Sequence, residues 1–332
     1  MKSVNQFLTN KLTRSLVAAT LVASVAPAAF AQSDYPNRPI KLVVGFAPGG
    51  AADTTARTVS EALARELGQP IVVENRPGAG SSIAAEMVTK ADPDGYTILI
   101  ASPSAISVNP AINPKLRYKG SDLLPITQIT SSPLVLAVNP KLGVNSVQEL
   151  IALAKQKPGT LNYATSGMGS APHLGGALLK DVAGIDVVHV PYKGGAPAIQ
   201  SVVAGDTQMT IGTPPSVMPQ VKAGNLKALA VTKKDGSKLF ADLPSASAVG
   251  LPEFDLDFWY GFFVPLKTPD AVVQKIFDAT QRAMKDQKVI DALAVSGTEV
   301  AVSGSQQAFK DFLVGNEKFW VNLVKSAGVT AE

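Results

Sequence analysis

Residues 41–58 read KLVVGFAPGGAADTTART. An apolar run breaks at Gly45, passes through Pro48, Gly49 and Gly50, and leads into a segment with one apolar helical face. Ala56, Val59, Leu63 and Leu67 carry that face, and Gly68 ends it as a C′ residue would. A buried strand, a glycine-rich turn and a helix make the repeating unit of an α/β fold.

The unit recurs along the chain. Ile71-Val72-Val73 is a second strand, followed by Asn75-Arg76-Pro77-Gly78-Ala79-Gly80 and a helix expected to turn Ile83, Met87 and Val88 inward. The turn Asp92-Pro93-Asp94-Gly95 leads to a third strand, YTILIA (96–101), and then to a loop, SPSAISVNPAINP (102–114). Residues 126–138 include PLVLAVNP and read as a strand crossing to a second lobe. There Ser146 and Glu149 form a capping box that opens a helix through Lys155. LNYATS (161–166) precedes a Gly/Ser loop (167–170) and a helix carrying Leu174, Leu178 and Leu179. DVVHVPY (186–192) precedes KGGAPA and the helix IQSVVAG (199–205). TQMTIGT (207–213) precedes Pro214-Pro215, a helix start, and LKALAVT (226–232) closes the set. The aromatic stretch FDLDFWYGFFVP (254–265) reads as the return to the first lobe, before two final helices over 270–285 and 305–325. The pattern predicts an α/β protein with mostly parallel sheets.

The beginning of the chain predicts its destination. Lys2, Lys11 and Arg14 precede an apolar run from Leu16 that ends at Ala29-Phe30-Ala31, with no acidic residue before Asp34. This is the pattern of a signal peptide over residues 1–31, cleaved after Ala31, and it places the mature protein in the periplasm. The apolar run is shorter than a membrane span and holds Pro27. Roughly 300 residues remain, enough for two lobes with a core each. The three leader cations account for most of the net charge of +4, so the basic balance does not point to nucleic acid. The chain has no cysteine, so packing alone must hold an exported fold.

Chemistry should reside in four strand-to-helix loops of small residues: 48–51, 77–80, 166–170 and 193–196. Glycine allows close approach, and the free N–H groups and dipole of a helix N-terminus attract an anion. In open α/β sheets such loops surround the ligand. The P-loop, dinucleotide and nucleophile-elbow patterns are absent. Two histidines, no cysteine and no clustered carboxylates argue against a metal, and nothing calls for a cofactor. Ser170 and His173 are close enough in sequence for a Ser–His hydrolase to be considered. Asp53 reads as the cap of the first helix.

Five stretches, YPNRPIKLVVGFAPGGAADTTAR, IVVENRPGAG, DGYTILIAS, YATSGMGSAPHL and VPYKGGAPAIQ, occur in this order across the mature chain. Together they resemble the Bug family, the extracytoplasmic solute-binding proteins of tripartite tricarboxylate transporters. The resemblance implies a type II periplasmic-binding-protein fold, with two doubly wound lobes joined by a hinge: residues 32–131 with 253–332, and residues 132–252. It implies a monomer that closes on a small organic acid (a mono-, di- or tricarboxylate, or an aromatic acid) and delivers it to membrane permease subunits. No catalysis or nucleic-acid partner is implied.

Carried onto this sequence, the first carboxylate grip falls on Phe46, Pro48, Gly49, Gly50, Ala51 and Asp53. The second falls on Thr165, Ser166, Gly167, Gly169, Ser170 and His173. Ser102 and Ser104 border the cleft, Tyr192, Lys193 and Gly194 line its other side, and Trp259 or Tyr260 stands near the crossover. Gly212-Thr213-Pro214 replaces an acidic residue common in relatives, which favours ligands without an amino group. Pro103-Ser104-Ala105 is a second departure. The alternative role is a sensor component presenting the ligand to a membrane histidine kinase.

Overall fold

The computed structural model describes residues 35–326, so the expected leader lies outside the described residues. The first sheet begins with β1 (Ile40–Val44), followed by α1 (Ala51–Leu67), β2 (Ile71–Asn75), α2 (Ser82–Thr89) and β3 (Thr97–Ala101). α1 buries Ala52, Ala56, Val59, Leu63 and Leu67 and ends at Gly68, whose left-handed φ of 73° lets its N–H cap Ala64 O. β1 pairs in parallel with β2 and β3.

Two local expectations fail here. Ile83 is 54% exposed; Gly80 and Ser81 both adopt positive φ just before α2, and the helix instead buries Ala84, Ala85 and Val88. The predicted loop over 102–114 is largely helical, a wide turn at Ser104–Val108 running into α3 (Asn109–Ile112). Pro110 fits that start because a first-turn N–H has no partner to lose.

β4 (Leu123–Pro133) stays in the first sheet and β5 (Val135–Val138) opens the second, with Leu134 alone between them. The second sheet adds α4 (Val147–Gln156), β6 (Asn162–Thr165), α5 (Ala171–Ala183), β7 (Val188–Pro191), α6 (Gly195–Ala204), β8 (Met209–Gly212), α7 (Pro214–Lys222) and β9 (Lys227–Val231). Only half of the capping box forms at α4: Ser146 Oγ accepts from Glu149 N, but the Glu149 carboxylate takes the N–H of Asn145. The chain returns through β10 (Asp257–Pro265) and finishes with α8 (Asp270–Ala283), α9 (Gln287–Val295), β11 (Glu299–Val300) and α10 (Gln306–Ser326). The sequence reading missed α9 and β11.

The strand orders are β11-β4-β10-β3-β1-β2 and β7-β6-β8-β5-β9. Both sheets are mixed rather than mostly parallel. β10 runs antiparallel to β3 and β4, and β5 antiparallel to β8 and β9, because each strand that enters a sheet at the crossing runs against its βαβ units. From Arg38 onward both sheets belong to one compact unit. Val43, Leu99, Trp259, Phe263 and Phe309 centre one core, and Val135, Ile199, Val202, Val217 and Val231 the other.

Where the chain crosses between sheets, buried Thr232 fastens three segments. Its N–H donates to Leu134 O (2.9 Å), and its hydroxyl accepts from Leu134 N (2.8 Å) and donates to Leu256 O (2.7 Å). Its carbonyl accepts from Leu256 N at 2.8 Å.

Candidate functional site

The first loop after β1 is braced by a charged network. Gly50, not Asp53, is the N-cap of α1, and it offers no side chain. Asp53 sits within the first turn and reaches backward, accepting from Gly49 N at 2.9 Å. Arg57 Nε donates to both carboxylate oxygens at 3.0 Å, and Asn75 Nδ2 donates to Oδ1 at 3.0 Å and to Phe46 O at 3.0 Å. Burial alone would raise the Asp53 pKa. The hydrogen bonds from Arg57, Gly49 and Asn75, with the Arg57 charge, outweigh it and hold the carboxyl below its usual range.

The loop after β6 is braced without charge. Ser170 caps α5: its Oγ accepts from His173 N (3.4 Å) and donates to Gly167 O (2.6 Å). The His173 ring faces elsewhere, its Nδ1 accepting from Gly169 N at 3.1 Å, which puts the ring proton on Nε2. His189 stacks on His173 with centroids 3.9 Å apart, and its Nε2 lies 2.6 Å from Thr165 Oγ1. That hydroxyl also accepts from Gly167 N at 3.2 Å. Burial lowers His173 to about 4, and burial with the His173 charge lowers His189 to about 3, so both are neutral near pH 7. The imidazole makes no contact with the Ser170 hydroxyl of the kind a Ser–His nucleophile needs.

The two sheets meet at these loops. Ala47 N donates to Lys193 O across the gap at 3.3 Å. Gly169, at φ 65°, lies so close to α3 that a Cβ there would run into the Asn109 side chain. Between the sheets is a cavity of about 30 Å³, against the roughly 10–15 Å³ that one water needs. Four helix N-termini converge on it: Ala51 and Ala52 of α1, Ala171 and Pro172 of α5, Gly195 of α6, and Thr213 with Ser216 at α7. No lining side chain is charged.

Of the sequence-predicted residues, Phe46, Ala51, Ser104, Thr165, Ser166 and Ser170 line this cavity, as does Tyr260, the alternative to Trp259. Ser104 Oγ and Ser102 Oγ are buried without a hydrogen-bond partner, and only Ser104 faces the cavity. Pro48, Gly49, Gly50, Gly167, Gly169 and Gly194 in the adjoining loops, and Asp53 and His173 in the first turns of α1 and α5, do not line it. Lys193 is exposed, and the Tyr192 hydroxyl turns to Ser201 Oγ at 2.6 Å. Trp259 points into the first core, where its Nε1 donates to Asn316 Oδ1 at 2.6 Å. Its strand neighbours Phe258 and Tyr260 take the opposite face and line the cavity, as a period of two requires. Sequence reasoning passed over Phe258, Ile199, Thr210 and Ser216, all of them cavity-lining, and Thr213, noted only as part of a departure from relatives, lines it too.

Comparison with known proteins places this arrangement in context. Residues 55–329 match the model of the tripartite tricarboxylate transporter family receptor. The chain is 36% identical over 281 residues to a UPF0065 protein of Bordetella pertussis, covering 85% of this chain and 87% of that protein. It is 34% identical over 321 residues to Protein BugT of the same organism, covering 96% and 98%. Among solved structures it resembles an R. palustris protein with adipate, at TM-score 0.86, 32% identity and coverage of 89% and 99%. It also resembles MatC from Rhodopseudomonas palustris with bound malate, at TM-score 0.81, 29% identity and coverage of 87% and 100%.

Proposed function

The chain belongs to the tripartite tricarboxylate transporter receptor family, and on that premise we propose that it is a periplasmic solute-binding protein that closes over a small organic carboxylate and hands it to a membrane permease. The observation that carries the carboxylate is the convergence of helix N-termini from both sheets on a cavity free of charged side chains. First-turn N–H groups lack partners within their helix and carry partial positive charge. α1 supplies them from one sheet, and α5 and α6 from the other. An anion between them gains from both sides only when the sheets are close together, so it favours the closed arrangement. Binding of adipate and malate by similar proteins supports the ligand class. The leader read over residues 1–31 supports the periplasm, and the family supports the permease as recipient.

Isothermal titration of the mature protein against mono-, di- and tricarboxylates and aromatic acids tests the reading. At a hundredfold excess over Kd the ligand should add about 2.7 kcal/mol to stability, visible as a rise in Tm. If no carboxylate binds at millimolar concentration, the proposal fails.

A further inference from the structure

Of the four glycine-rich loops that the sequence singles out, one takes no part in the ligand wall: none of residues 77–81 lines the cavity. This loop carries four positive φ angles in succession, 134° at Gly78, 46° at Ala79, 58° at Gly80 and 77° at Ser81. Ala79 and Ser81 bear side chains, for which that region is costly. Such a backbone persists only where its surroundings impose it.

The surroundings come from both sheets. On its own side, Asn109 at the start of α3 is 4% exposed and donates through Nδ2 to Ala79 O (3.1 Å) and Gly80 O (2.8 Å). From the second sheet comes the loop after β6. A Cβ on Gly80 would stand 2.3 Å from Met168 O, and one on Gly169 would stand 2.1 Å from Asn109 Oδ1. The two backbones thus meet with no room for a methyl group. One follows β2 and the other β6, strands of different sheets, so they touch only when the sheets are together. Ser166 and Ser170 of the second loop line the cavity. The seam where Gly50 faces Gly195 includes a cavity-lining residue, whereas the first-sheet side of this one has none.

On the premise that the protein closes over a carboxylate, we propose that the 77–81 loop, held in shape by Asn109, is a closure latch. It seats on the 166–170 loop, favours the closed arrangement and slows release of a ligand that it never touches. Contacts made in one arrangement alone shift the population toward it.

Small-angle scattering of the mature protein without added carboxylate, and stopped-flow binding of adipate, test the latch. The wild type should have a smaller radius of gyration than Gly80→Ala, whose methyl is driven onto Met168 O, and than Asn109→Ala, which frees the loop. Adipate should leave both variants about tenfold faster or more, with its association rate nearly unchanged. Circular dichroism checks folding, and if one variant does not fold, the other decides. A merely structural role would lower Tm but leave the radius of gyration and the dissociation rate of the folded variants as in the wild type. That result would overturn the latch. Equal radii of gyration would overturn it whether or not adipate binds, whereas a wild type that binds no carboxylate would overturn the carboxylate reading instead.

Discussion

The loops after β1 and after β6 face the same problem and solve it with different chemistry. Each must hold a glycine-rich turn steady ahead of a helix while leaving its N–H groups free. The first uses an ionised pair, Asp53 and Arg57, helped by the neutral amide of Asn75, with Arg57 55% exposed on its side chain. The second uses neutral ones: the His173–His189 stack, Thr165 and Ser170, all within the fold. The first brace is sensitive to salt and to strong acid, the second to mild acid. Both end with a backbone N–H, of Gly49 or Gly169, held by a side chain four residues on in the chain.

The comparison breaks most directly at Asp53. Asp53→Ala leaves the Gly49 N–H and Asn75 without their acceptor and frees Arg57. Stability should fall by roughly 2 kcal/mol, an amount discounted for the exposure of Arg57, and carboxylate affinity should drop at least tenfold. Chemical denaturation and titration measure the two effects. A variant that binds like the wild type would mean that the loop does not need its brace.

Acid should separate the two loops. The folded pKa values of His173 and His189, about 4 and 3, lie below the ordinary 6.5. The unfolded chain therefore takes up protons first, and their contribution is complete above pH 6.5 and lost progressively as pH falls toward 4. The limiting slope is about 1.4 kcal/mol per pH unit per histidine. Asp53 behaves otherwise: its lowered pKa gives a contribution present above 3.8 and lost only as pH falls through the folded value. Thermal unfolding between pH 7 and 4.5 should thus show declining Tm, with a shallower decline in His189→Gln. An identical pH profile in that variant would dissociate the histidines from the effect.

The smallest expected effect sharpens the contrast. Arg57→Gln should cost no more than about 1 kcal/mol, because an exposed ion pair is screened. Its loss should also flatten the salt dependence of unfolding, since the β6 loop holds no ion pair. Denaturant titrations at low and high ionic strength read this out.

Much of the fold was legible because β1 and α1 advertise themselves: an unbroken apolar strand, a proline-glycine turn and a helical stripe. The return strand was legible as a strand but not in phase. FDLDFWYGFFVP is apolar on both faces, so nothing in it says that Trp259 enters the core while Phe258 and Tyr260 face the cavity. Ser216 was missed for a long-range reason: β8 must pair antiparallel with β5 before α7 is aimed at the cleft. Ile83 was misplaced because four consecutive positive φ angles, from Gly78 to Ser81, rotate α2, and no apolar period records such a rotation.

The fastening at Thr232 also has consequences for the order in which the protein can assemble. Strands β5 to β9 lie between residues 135 and 231 and form a complete sheet from one continuous segment. The first sheet is discontinuous: β10 lies at its centre between β3 and β4, yet is made last but one of all the strands. A chain synthesised only as far as Thr232 already holds every strand of the second sheet, while the first remains split along its middle. The bonds from Thr232 to Leu256 come just before β10. They set β10 in register, so closing this clasp and joining the two halves of the first sheet are one event.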